Sequence, residues 1–149
     1  MIVVDVDPTP TPVDELDDAA IDRLWEQPMR SVISALQEAH RDGRDRIVVV
    51  VPTIGQSGGA SYAAQAALAE AARVLVKSAA RQWSDRSVNA VVLDPSEWGV
   101  DPAVSGPVSI APRARSGVVD PLPLIEWLSG DGAADVTGQT VVCDGGQWM

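Results

Sequence analysis

The chain has few of the residues that build disulfides, metal sites and nucleophilic active sites. Its 149 residues include one cysteine, Cys143, and one histidine, His40. A disulfide needs two thiols and a Cys/His zinc site needs several ligands, so neither can be built from this chain by itself. We therefore expect no internal disulfide and no metal ion, and nothing favours catalysis by a Cys–His pair.

Basic residues are also scarce. The chain has 11 Lys and Arg against 21 Asp and Glu, a formal net charge of -10, which repels phosphate backbones and anionic membrane surfaces. The N-terminus lacks the basic region of a signal peptide, and the longest uncharged apolar run, Ile47–Val51, is far shorter than a membrane span. We expect a cytoplasmic protein that binds neither nucleic acid nor membrane.

Apolar residues make up 46% of the chain, which predicts a folded protein, and the length suits a single domain spanning 1–149. Short apolar runs bounded by turn-forming residues predict four strands: Ile2–Val6, Ile47–Val51, Val88–Leu93 and Thr140–Cys143. The second run shows no polar alternation, which is typical of a strand covered on both faces in a parallel sheet.

Segments with helical features separate these strands. They run from Asp14 to about His40, from Tyr62 to about Trp83, and from Pro121 to Leu128. Pro28 predicts a kink or break of the first helix near 25–27, and Ser61 is the predicted N-cap of the second. The order β-α-β-α-β-α-β predicts an α/β fold: a partial Rossmann-like layer of about four parallel strands with helices on both faces.

Two connecting segments contain glycine and proline. The loop from Thr53 to Ala60 follows a strand and precedes a helix, which is where phosphate-binding turns occur, but it has neither the G-x-G-x-x-G pattern nor Gly-Lys-Ser/Thr. We expect it to be a plain turn between strand and helix. The segment 94–119 has no periodicity, and we expect an irregular loop with no regular element.

Three stretches together resemble the second half of the short-chain dehydrogenase/reductase family. Ser61–Ala72 resembles the family's Tyr-x-x-x-Lys helix, Ser87–Val92 resembles the strand that follows it, and Val136–Gly146 resembles the C-terminal strand and turn. Their order and spacing match those of the family. The resemblance covers nearly the whole chain from Ile2, which aligns with the family's fourth strand, and it implies an oxidoreductase-type fold.

The resemblance also implies which functional parts this chain lacks. The family binds NAD(P) through a first β-α-β unit, and the sequence is expected to begin after that unit, so we expect no cofactor on this chain. Of the family's catalytic residues only Tyr62 is matched. Pro28 falls near the family's Asn, Pro52 or Thr53 at its Ser, and Ala66 at its Lys.

Without the family's lysine, Tyr62 lacks the group that activates it. A phenol has a pKa near 10, and a neighbouring cation is needed to lower that value toward neutrality. Lys77, the sole lysine, lies about 22 Å farther along a helix, since each residue adds about 1.5 Å. We expect Tyr62 to be a packing residue and predict no catalytic residue in this chain.

Other candidates are less specific. His40, at a helix C-terminus, is expected to be a surface residue that complements the helix dipole. Asp94 and Glu97 are either paired carboxylates or solvated surface. Three tryptophans near loops or the terminus either fill a partner's pocket or pack in the core: Trp98, Trp127 and Trp148.

These observations favour a non-catalytic subunit. The resemblance implies assembly through a four-helix bundle of the two long helices, with a second contact through the last helix and strand. We predict a heteromer with a full-length dehydrogenase/reductase, in which only that partner binds NAD(P). The interface candidates are Ala63, Ala66, Ala67, Leu68, Ala71, Leu75, Trp127 and Trp148.

Two alternatives stay open. The chain is an active oxidoreductase with an atypical site around Tyr62, or it is a homodimer that binds an acyl or other apolar ligand under the 94–119 loop without chemistry. Cofactor binding by the purified chain distinguishes the first, and a retained ligand distinguishes the second. The sequence does not identify a substrate among alcohols, ketones, acyl thioesters and steroids.

Overall fold

The computed structural model describes residues 1–57, 59–100 and 119–146 of the chain. Within them, four parallel strands form one sheet in sequence order: β1 (Ile2–Val3), β2 (Arg46–Pro52), β3 (Ser87–Leu93) and β4 (Thr140–Val142). Val50 lies opposite Val3 on one side and Val91 on the other. The predicted α/β fold with about four parallel strands is confirmed.

Helices connect these strands. They are α1 (Asp18–Ile21), a π-helical segment (Asp22–Glu26), α2 (Gln27–Arg41), α3 (Ile54–Ser57), α4 (Ala63–Gln82) and α5 (Leu122–Ser129). Short 3₁₀ turns occupy Val13–Glu15, Pro95–Trp98 and Asp131–Ala133. No described helix combines the length and the apolar character needed to span a lipid bilayer.

The sheet separates two hydrophobic cores. Val49 and Val51 of β2 pack with α2 and α4 in the larger core. Val48 and Val50 face the opposite side, where they pack with α5 and the turn Asp131–Ala133. Because successive side chains of a strand point to opposite faces, a strand covered on both faces favours apolar residues at successive positions. This arrangement explains the uninterrupted valine run.

The first predicted helix starts later than Asp14, because Leu16 and Asp17 are extended and separate the turn Val13–Glu15 from α1. From Asp18 to Arg41 the helix is continuous but irregular. The predicted distortion near 25–27 is confirmed, although the helix does not break there. The backbone N–H of Gln27 donates to the carbonyl of Asp22, one residue farther back than in an α-helix. Pro28 has no N–H to donate, and the wider π turn accommodates it without interrupting the helix. Gly43 follows the C-cap of α2 with a φ of 69°, in the left-handed region that glycine adopts readily.

The predicted start of the second long helix is wrong. Tyr62, rather than Ser61, stands at the N-cap of α4, and no side chain caps this helix. The carbonyl of Ser61 instead accepts the backbone N–H of Thr11 at 2.6 Å, within a short bridge that pairs Thr11 with Tyr62. The Ser61 carbonyl is therefore paired with a distant segment, and the helix starts one residue later than predicted.

Both predicted irregular segments contain helical turns, so these predictions need correction. The loop Thr53–Ala60 includes α3, and the segment 94–119 begins with the turn Pro95–Trp98. Asp94 caps this turn, since its Oδ1 accepts the backbone N–H of Ser96 at 2.9 Å. The part of the segment from 101 to 118 lies outside the described residues.

Strand ends also differ from prediction. β1 is shorter than the predicted Ile2–Val6, although the N–H of Val4 still donates to Val50. Pro52 is the last residue of β2 instead of the residue that stops it. β4 ends at Val142, and Cys143 continues with one hydrogen bond from its N–H to the carbonyl of Val92.

Candidate functional site

Tyr62, the one match to the family's catalytic residues, is buried in the larger core. It is 2% exposed and packs among the apolar residues between the sheet and the helices. Ala66 follows one helical turn later, and its N–H donates to the Tyr62 carbonyl at 2.8 Å. The alanine supplies no charge at the position where the family has its lysine. Tyr62 therefore occupies a core position, without an ammonium group one turn away.

The other positions that align with the family's catalytic residues are buried as well. Pro28 is buried in the first turn of α2. Thr53, directly after β2, is buried, and its N–H donates to the carbonyl of Leu93 at 2.8 Å. The Thr53 hydroxyl has no hydrogen-bond partner among the described residues. Pro28 has no amide side chain at the position near the family's Asn, and Thr53 has a hydroxyl at or next to the position of its Ser.

The glycine-bearing turn after β2 does not fit a dinucleotide phosphate. A Cβ on Gly55 would lie 2.7 Å from the Oε1 atom of Glu70 and 3.0 Å from the carbonyl oxygen of Ala66. Gly55 is therefore explained by the close packing of α3 on α4. The nearest group is a carboxylate, which repels a phosphate. The space beside Gly55 is therefore filled by Glu70 and Ala66 and gives a phosphate no room there.

A clamp at the start of α4, which the sequence did not predict, holds the segment that follows β1. Gln65 is fully buried, and its Nε2 donates to the carbonyls of Asp7 and Thr9 at 3.1 and 2.9 Å. Asp7 also forms an ion pair with Arg23 of the π segment. Hydrogen bonds from Thr9, and the Arg23 guanidinium, hold the pKa of Asp7 below its usual range despite partial burial. The available sequence signal was a glutamine among alanines in the first turn of an alanine-rich helix.

A cavity of about 520 Å³ lies beside β1, on the side of the sheet that carries α5. Its walls are Met1, Val3, Val4, Asp5, Val50, Leu93, Glu97, Trp98, Pro121, Leu122 and Ile125. Trp98 helps to shape it, because its Nε1 donates to the Val4 carbonyl at 2.8 Å. Asp94 caps a turn while Glu97 lines this cavity, so the two carboxylates have separate roles.

His40 is not the simple surface residue that was predicted. It does lie in the last turn of α2, but it is half-buried, and its ring stacks on Trp83 with centroids 4.4 Å apart. Its carbonyl accepts a hydrogen bond from Arg86 at 3.1 Å. The stacking joins the end of α2 to the end of α4.

The predicted interface residues divide by their exposure. Ala66 and Leu68 are buried inside this chain's own core. Half-buried or exposed are Ala63, Ala67, Ala71, Leu75 and Trp127. Trp148 lies outside the described residues. In the folded chain, only the half-buried or exposed residues of this set are accessible to a second chain.

The structure adds larger apolar side chains to this surface. Ile21, Trp25 and Ile33 are exposed along α1, the π segment and α2, and Val74 is exposed on α4. We call these four residues, together with Ala67, the helical face. The spacing of four and eight residues between Ile21, Trp25 and Ile33 was visible in the sequence. Their exposure was not, because the same spacing also describes a buried stripe.

Comparisons with known proteins find structural relatives only. No protein-family model and no curated protein matches the sequence. A 4-hydroxyisoleucine dehydrogenase complexed with NADH superposes with a TM-score of 0.71 at 18% identity, over 97% of this chain and 67% of that protein. Levodione reductase gives 0.74 at 18% identity, over 97% and 64%. A short-chain type dehydrogenase/reductase from Mycobacterium ulcerans gives 0.68 at 23% identity, over 93% and 56%.

The chain therefore has the short-chain dehydrogenase/reductase fold, as its sequence resemblance implied. It spans between 56% and 67% of the length of these three structures. Identities of 18 to 23% show the fold alone. The activities named for the relatives belong to those proteins.

Proposed function

We propose that this chain is a cytoplasmic, non-catalytic subunit that joins a full-length NAD(P)-dependent short-chain dehydrogenase/reductase and supports its structure or substrate pocket. The helical face is the observation that carries this proposal. Large apolar side chains are exposed on the outer side of a layer whose inner side is already filled by the core. Exposed apolar surface of this kind is typical of protein–protein contacts.

The size of the helical layer suits such a contact. The 20 residues of α4 extend about 30 Å at 1.5 Å per residue. Two adjacent helices with axes 8–10 Å apart cover about 20 Å in width. The projected area of about 600 Å² approaches the roughly 800 Å² that each partner buries in a standard interface. Small residues such as Ala67 allow a partner's helix to approach closely.

The surroundings of Tyr62 favour a supporting role over chemistry. A general acid must reach the reacting atom and needs a pKa near the working pH. Tyr62 is 2% exposed, and the position one turn later is Ala66. In the proposed complex the partner supplies both the reacting groups and NAD(P). Trp127, exposed on α5, offers a second contact on the other side of the sheet.

Co-expression tests the proposal. The chain is produced with each full-length short-chain dehydrogenase/reductase from the same genome, and the complexes are measured by size-exclusion chromatography with light scattering. We expect a heteromer with one such relative, and NAD(P)-dependent turnover only when that relative is present. Val74→Glu places a carboxylate in the apolar contact, so we expect association to weaken by about 100-fold or more.

Val13→Glu is the matched control, because Val13 and Val74 are 66% and 59% exposed and Val13 lies in the turn Val13–Glu15, outside both the helical face and α5. It should leave association unchanged, and circular dichroism should show both variants folded. The proposal is wrong if the chain joins no relative, or if Val74→Glu has no effect on a complex that forms. Saturable NAD(P)H binding or alcohol or ketone turnover by the chain alone also contradicts it, in favour of an atypical oxidoreductase site.

A further inference from the structure

β1 leaves one edge of the sheet open among the described residues. It pairs with β2 on one side and is the terminal strand of the sheet. The N–H of Val4 donates toward β2, to the Val50 carbonyl at 3.0 Å. Main-chain groups of successive strand residues point to opposite sides, so those of Val3 and Asp5 point to the open edge. An edge of this kind is a template for another strand.

The apolar cavity lies next to this open edge. The side chains of Val4 and Val6 belong to the larger core, so Val3 and Asp5 face the side of the sheet that carries α5. Val3 and Asp5 line the cavity together with apolar residues of the sheet and α5, such as Leu122. A strand added to β1 would therefore project alternate side chains directly into it.

Exposure of the walls favours a polypeptide over a small molecule. Met1, Val3 and Leu122 are 60%, 54% and 56% exposed, whereas small-molecule sites typically enclose about 70–90% of their ligand. A shallow groove bounded by a free strand edge suits an extended peptide. Such a peptide gains main-chain hydrogen bonds from the edge and specificity from alternate side chains.

The charged residues that line the cavity indicate the charge of its occupant. Asp5 and Glu97 line it, and neither forms an ion pair with any residue in the described part of the chain. A second copy of this chain, with a net charge of -10, would bring further carboxylates against these two. Electrostatic complementarity instead requires a basic group.

We propose that the edge of β1 and the adjoining cavity form a strand-addition site for another polypeptide. The occupant is an extended segment with apolar side chains at alternate positions that enter the cavity, and with a Lys or Arg beside Asp5 and Glu97. This site lies on the other side of the sheet from the helical face. It does not depend on the function proposed above.

A synthetic peptide provides the test. The probe has the sequence Thr-Val-Thr-Val-Thr-Lys-Thr, and its matched control carries Glu in place of Lys. We expect saturable binding of the lysine peptide by calorimetry, slower hydrogen exchange at the amides of Val3 and Asp5, and affinity at least about tenfold lower for the control. Val3→Pro should also weaken binding by at least about tenfold, because it removes an N–H at the open edge.

Val3→Pro is compatible with folding, since the N–H of Val3 does not pair with β2. Val74→Glu should bind the lysine peptide like the unmodified chain, which separates this site from the helical face. No saturable binding up to about 1 mM peptide overturns the proposal, as does binding that survives Val3→Pro. A small molecule retained in this cavity in native mass spectrometry, or a homodimer abolished by Val3→Pro, assigns the site to a different occupant and also overturns it.

Discussion

Asn89, in the middle of β3, connects two of the stretches that resemble the oxidoreductase family. Its side chain is fully buried in a strand that is otherwise mostly apolar. Its Nδ2 donates to the carbonyl of Val136 at 2.7 Å, and its Oδ1 accepts the backbone N–H of Gln139 at 3.0 Å. We predict that these two hydrogen bonds hold the turn before β4 in place, and with it β4 itself.

Substitution Asn89→Leu removes both hydrogen bonds and keeps a similar volume. Each bond contributes about 0.5–1.5 kcal/mol net, and a buried polar group left without a partner costs about 1–3 kcal/mol. Val136 is half-buried and Gln139 is exposed, so water partly replaces the lost bonds. We expect the free energy of unfolding to fall by about 2–4 kcal/mol, a large part of the roughly 5–15 kcal/mol of a typical domain.

Urea unfolding followed by circular dichroism measures this loss, and hydrogen exchange locates it. The Cys143 amide, which donates to Val92, should lose more protection than the amides of β2. Gln139→Ala is the matched control, because it keeps the backbone N–H that Asn89 accepts. It should change the free energy of unfolding by less than about 0.5 kcal/mol. An Asn89→Leu variant as stable as the unmodified chain would refute this reasoning.

Three further predictions concern single side chains. Gln65→Met should lower the free energy of unfolding by about 1–3 kcal/mol in urea, because it removes two part-buried hydrogen bonds to main-chain carbonyls; unchanged stability contradicts the clamp. The pKa of Asp7 is lowered in the fold, so its contribution is present above about pH 4 and lost as pH falls. Asp7→Asn should reduce the loss of unfolding free energy at acid pH, by less than about 1 kcal/mol. A variant with the same acid dependence of stability as the unmodified chain counts against this prediction. Burial, with Asp144 and Asp120, raises the pKa of the Cys143 thiol. Its alkylation at pH 8 should be slower in the folded chain, and stability should fall as pH rises above about 8.5; equal alkylation rates contradict this.

Strands and their covered faces were predictable from the sequence. The β-branched runs at 47–51 and 88–93 indicate buried parallel strands by local composition alone, and both are found within a residue or two. Pro28 likewise predicts a helix distortion through its missing N–H, whatever the rest of the fold. The mismatches at positions that align with the family's catalytic residues, such as Ala66, are also visible in the sequence, because they depend on residue identity alone.

Capping and turn details were less predictable, because distant segments compete for the same groups. Ser61 has the composition of an N-cap, yet its carbonyl pairs with Thr11. The π turn before Pro28 and the helical turn at α3 depend on packing against α4, which local sequence does not report. A residue type therefore indicated where a helix starts or bends, and tertiary contacts selected the geometry.

The sequence by itself determined the α/β layer, the order of its strands along the chain and the residue types at the positions that align with the family's catalytic residues. Only the tertiary structure decided that Gln65 and Asn89 hold distant segments, that Ile33 and Val74 face outward, and that a cavity opens beside β1. Periodicity shows that residues share a face of a helix or strand, but not whether that face meets a core or solvent. That choice depends on contacts between residues far apart in the chain, and these contacts exist only once it has folded.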